Sequence, residues 1–149
     1  MRNHVKAELF DEKSAKWAVI RDYPLHYYSE HLAKQSKYYR IYGHASIHYK
    51  GAFYIFGGEG NSNNIARLDA DTYTWSLAGS LNHSSSRIGL SVILDGSILL
   101  VVGGRGSFKT EKCLVKKTVI TCSEHESSPI VDGFGYPVLF STPENYNDC

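Results

Sequence analysis

Long hydrophobic runs are missing from this chain of 149 residues. No stretch approaches the ~20 apolar residues a helix needs to cross a bilayer, so no membrane span is expected. Charge bias is missing as well. Lys and Arg number 16 against 15 Asp and Glu, a formal net charge of +1. Basic residues gather only at Lys112 and Lys116-Lys117, which leaves out the electrostatic footprint of a nucleic-acid binder. Cysteine is scarce: the three, at 113, 122 and 149, are too few for a disulfide-framework scaffold and contain no CxxC pair of a structural zinc site. The first residues, Met1 to Glu8, hold no apolar core of a secretory signal.

Apolar residues are nevertheless plentiful, at 42%, and the length suits one ordinary domain. Their arrangement repeats. Gly51-Ala52-Phe53-Tyr54-Ile55-Phe56-Gly57-Gly58 and Ser97-Ile98-Leu99-Leu100-Val101-Val102-Gly103-Gly104 are both apolar runs ending in two glycines, 46 residues apart (104 − 58). Such a run predicts a buried strand, and glycines at its end allow positive φ or close backbone approach. Gly43 and Gly89 stand fourteen residues before Gly57 and Gly103. Tight turns are expected at Lys50-Gly51 and at Asp95-Gly96, offset by one residue between the copies.

A second pattern accompanies the first. Asp11 precedes Trp17, and Asp69 precedes Trp75, by six residues; Ser14 and Thr72 precede the same tryptophans by three. Both read as two short strands joined by a polar turn. Each unit is then four strands and no helix. In the third copy Cys122 falls 18 residues past its glycine pair, where Trp75 falls 17 past its own. A hairpin with Lys117-Thr118 at its tip puts Cys113 opposite Cys122, within disulfide reach; a bridge and two buried thiols both remain open readings.

A unit of ~45–50 residues with four strands has the size of a propeller blade. The double glycines, Asp69 and Thr72 before Trp75, Asp11 and Ser14 before Trp17, and Arg87 ahead of Gly89 resemble the kelch repeat. The likeness covers residues 8 to 24 and 41 to about 124, and departs at Leu68, where such repeats usually carry Tyr, and at Cys122 in place of Trp. It implies an all-β fold of four-stranded antiparallel blades of a kelch-type β-propeller, incomplete as an open arc or fragment. Residues 1–24 form the outer half of a preceding blade, 25–40 an inter-blade insertion, 41–81 and 82–125 two blades, and 126–149 a C-terminal extension. Kelch propellers close with more blades than this, so the expectation is a piece of a larger propeller, with self-association or an arc covered by its own tails as the other ways to bury the end blades.

In an up-down-up-down blade, the loop between strands two and three and the link to the next blade emerge at one end. The insertion, rich in Tyr and His, therefore shares a rim with residues 59–64 and 105–109. Tyr and Arg are typical of interface hot spots, so Tyr27, Tyr28, Tyr38, Tyr39, Arg105 and Phe108 are the expected partner-binding residues. The competing reading is that the tyrosines cover the insertion's own small core.

Catalytic patterns are weak. His44 and His48 share a strand face about 13 Å apart, too far for one metal, and the adjacency of Cys122 and His125 carries no geometry for a nucleophile. Neither a catalytic residue nor a cofactor nor a metal is expected. The function expected is a non-enzymatic interaction module binding a protein partner, and the alternative is part of an enzyme on a kelch-like propeller of the copper-radical oxidase type. Asn82-His83-Ser84 is a glycosylation sequon, and with a Cys113–Cys122 bridge it favours the cell exterior over the cytoplasm.

Overall fold

The computed structural model describes residues 6–22, 43–58, 63–82, 87–105 and 109–127. Among these there is no helix, and ten strands account for most of the described residues. They are β1 (Lys6–Asp11), β2 (Lys16–Asp22), β3 (His44–Tyr49), β4 (Ala52–Gly57), β5 (Asn64–Asp69), β6 (Trp75–Ser80), β7 (Ile88–Asp95), β8 (Ile98–Arg105), β9 (Lys109–Lys116) and β10 (Val119–Ser127). Strands β1 and β2 pair as a hairpin of their own; the other eight form one sheet in the order β3-β4-β5-β6-β10-β9-β8-β7.

That sheet consists of two antiparallel four-strand meanders, β3 to β6 and β7 to β10, each strand pairing with its sequence neighbour. A short parallel pairing joins them, Ile120 opposite Gly79 and Thr121 opposite Ser80. The far edges meet too, for the Gly89 amide donates to the Gly43 carbonyl at 2.6 Å and the Gly58 amide to the Arg87 carbonyl at 2.8 Å. The sheet is thus nearly closed and barrel-like. Alternate residues point inside, as the two-residue period of a strand requires. Ala52, Tyr54, Phe56, Ile65 and Ala78 of the first meander meet Leu90, Leu99, Val101, Cys113 and Ile120 of the second in one core.

Glycine permits the close approach of the meanders. A Cβ on Gly57, whose φ is +63°, would lie 2.2 Å from Leu90 Cδ2 and 2.5 Å from the Arg87 carbonyl oxygen. A Cβ on Gly79 would lie 2.2 Å from the Ile120 carbonyl oxygen, where the two outer strands pair. Either contact is closer than atoms tolerate, so a side chain there would drive the meanders apart.

Two details differ from the sequence reading. First, the β7–β8 turn is Gly96-Ser97, since Asp95 pairs with Ile98 as Tyr49 pairs with Ala52; the two turns align without any offset. Gly96 adopts φ +59° in one and Lys50 and Gly51 adopt +48° and +71° in the other, the backbone that two-residue hairpins demand. Second, β4 ends at Gly57, whereas β8 continues through Gly103 and Gly104 to Arg105. Cys122 does stand in the place of Trp75: the row Phe53-Leu68-Trp75 of the first meander corresponds to Leu99-Cys113-Cys122 of the second, and the disulfide-bonded pair packs on the core. The two hairpins differ at the tip: β9 and β10 join through two residues, with Lys116 opposite Val119, but the β5–β6 connection takes four residues, closed by the Asp69 amide on the Thr74 carbonyl at 3.0 Å.

Candidate binding rim

Strand directions sort the connections into two sets. The ends of β4, β6, β8 and β10 and the starts of β3, β5, β7 and β9 all lie at one end of the sheet. Segments 23–42, 59–62, 83–86 and 106–108 therefore attach there, and the short turns at 50–51, 96–97 and 117–118 lie at the opposite end. The connections that the repeat assigns to one rim thus leave the described strands at one end of the sheet, while residues 23–42, 59–62, 83–86 and 106–108 themselves lie outside the described residues.

A buried ion pair ties its base together. Arg87 and Glu111 are both fully buried and meet at 2.9 Å. Arg87 Nε donates to the Gly103 carbonyl at 2.9 Å, and its second terminal nitrogen to the Lys109 carbonyl at 2.5 Å. The other carboxylate oxygen of Glu111 accepts from the Asn82 amide at 2.7 Å. Burial pulls the Arg87 pKa below its usual value, and the Glu111 charge opposes that fall. A buried charge is tolerated only when paired and hydrogen-bonded. The two residues are separated by 24 positions, so no local pattern announces Glu111 as the partner; Arg87 alone was legible, through its place before Gly89.

Other ties fix the loop bases. The Leu81 amide donates to the Asn63 carbonyl at 2.7 Å, and Asn63 Nδ2 returns a bond to the Leu81 carbonyl at 2.9 Å. Asn82 Nδ2, the atom a glycan would occupy, donates to the Cys122 carbonyl at 2.9 Å, although the residue is exposed. Lys109 pairs with Glu124 across β9 and β10.

Of the expected binding residues, Arg105 is exposed at the last position of β8; Tyr27, Tyr28, Tyr38, Tyr39 and Phe108 lie outside the described residues. Trp17 is 67% exposed, its ring 5.1 Å from that of Phe10. Gly57, Gly58, Gly103 and Gly104 adopt φ values of +63°, +93°, +69° and +100°, matching pair for pair. Cys113 and Cys122 are joined by a disulfide. His48 stacks at 4.8 Å from Phe53, and partial burial lowers the pKa of His44. Among the described residues, no three His, Cys, Asp or Glu gather where they could hold a metal, and no helix is long and apolar enough to cross a membrane.

No protein-family model matches the chain, and no curated protein matches it.

Proposed function

We propose that this chain is a kelch-type, non-enzymatic interaction module that binds a protein partner through the loops of one rim. The observation that carries the reading is the buried Arg87–Glu111 pair, which clamps the bases of the 83–86 and 106–108 loops to a common point. Loops held on a rigid base lose less entropy when they engage a partner. Support for the kelch likeness comes from two four-strand units that share hairpin register and glycine backbone angles at a spacing of 46 residues (103 − 57).

The test compares partner capture by the wild-type chain, by a rim variant carrying Arg105→Ala with Tyr27, Tyr28, Tyr38 and Tyr39 changed to Ala, and by a control variant altered at Lys50 and Lys117 at the opposite end. Hot-spot truncations each weaken binding by about tenfold or more. Captured proteins should drop with the rim variant and persist with the control. Equal capture by all three would remove the rim from the function.

A further inference from the structure

The two meanders are copies whose equivalent residues point opposite ways with respect to the shared core. Hairpin register fixes the equivalence: His44 pairs with Gly57 and Tyr49 with Ala52, as Leu90 pairs with Gly103 and Asp95 with Ile98. Phe53 and Ile55 then correspond to Leu99 and Val101, and Tyr54 and Phe56 to Leu100 and Val102. Leu99 and Val101 are buried in the core, whereas Phe53 is 43% exposed on the outer face of the first meander. Conversely, Tyr54 and Phe56 are buried, while Leu100 and Val102 lie on the outer face of the second meander, only partly covered.

Had the meanders packed about a two-fold axis, equivalent residues would both face inward. They pack head to tail instead: the front of the second meander sits on the back of the first. A heterologous contact of this kind consumes one face of each unit and leaves the front of the first meander and the back of the second outside it. That front carries Phe53 and Leu77, 43% and 52% exposed, around the buried Ala66 and Leu68. The unused back carries Ile98, Leu100, Leu114 and Val119, the last two 42% and 55% exposed.

We infer that the front of the first meander seats on the back of the second meander of another copy of this chain, continuing the contact already made within the chain. The occupant follows from the repeat: the surface that covers Tyr54 and Phe56 internally is the equivalent of the front of the first meander, and the surface it covers is the equivalent of the back of the second. This association uses the sheet faces and not the rim, so it stands or falls separately from partner binding through the loops.

The test is sedimentation across about 1 to 100 μM, the range in which an interface of ordinary size can first be detected. The wild-type chain should sediment as an oligomer. A front variant, Phe53→Glu with Leu77→Glu, and a back variant, Leu114→Glu with Val119→Glu, should each be monomeric. Mixed in equal amounts they should form a one-to-one heterodimer, because the first keeps its back and the second its front. Circular dichroism and the mass of the Cys113–Cys122 bridge check that each variant folds; Phe53→Ser and Leu114→Ser replace any that does not. A monomeric wild type, as when the β1–β2 hairpin covers the front, would overturn the inference. So would oligomers that survive either variant, or a mixture that forms no heterodimer.

Discussion

Arg87 ties strands and loop bases of the second meander to one buried point. It is fully buried, its guanidinium bonds Glu111, the Gly103 carbonyl and the Lys109 carbonyl, and its own carbonyl accepts from Gly58 of the other meander. Replacing it with Met leaves Glu111 buried without its countercharge, which costs about 3–5 kcal/mol. Adding Glu111→Leu removes the stranded charge, so the double variant should recover much of that loss. Chemical denaturation of the wild type, both singles and the double measures the coupling; additive losses would mean the pair does not act as a unit. Lysine is a poor substitute for Arg87, because one ammonium cannot reproduce the planar fork.

At the scale of single elements, the β1–β2 and β5–β6 hairpins are the same turn used twice. Asp69 accepts from the Asp71 and Thr72 amides and the Thr72 hydroxyl, and Asp11 accepts from the Lys13 amide and the Ser14 hydroxyl. Ala15 and Tyr73, each two residues before its tryptophan, take φ +52° and +53°. The aspartate at minus six and hydroxyl at minus three are thus a side-chain cap on a tight turn, which is why the spacing was visible in the sequence. The Thr72 amide first, and then Arg67 at 2.8 Å, hold the Asp69 carboxyl well below its ordinary value of 3.8. A depressed carboxylate stabilises the fold fully above pH 3.8, and that contribution is lost as pH falls through the lower folded value. Asp69→Asn should therefore lower the melting temperature near neutrality, with the gap from wild type closing as the solution is acidified below pH 3.8. A gap that stays constant with pH would assign the effect to hydrogen bonding alone. The third hairpin replaces this turn by a two-residue tip and a cross-strand disulfide between Cys113 and Cys122. A loop closed over 9 positions contributes about 2–3 kcal/mol by restricting the unfolded chain.

For the molecule as a whole, neither meander has a core of its own. Tyr54 and Phe56 are buried only in the company of Leu90, Leu99 and Val101, as expected where repeat units bury their faces against neighbours. Residues 41–82 expressed alone should show no strand signal by circular dichroism, and the intact chain should unfold in a single transition by circular dichroism and tryptophan fluorescence together. A folded half-chain would refute this dependence.

The sequence by itself determined the strand-and-turn plan, because that plan rests on local chemistry. Glycines at positive φ, a hydroxyl three residues from a capping aspartate, and two-residue periodicity are written in adjacent positions, and the hairpin tip at Lys117-Thr118 put Cys113 opposite Cys122 while leaving bridge and free thiols open. Only the tertiary structure decided the rest. The Arg87–Glu111 pair, the Gly79–Ile120 contact and the facing of Leu99 against the outward turn of Phe53 join residues far apart in the chain. Their arrangement depends on how the two meanders of one sheet close on each other, and no local pattern encodes that.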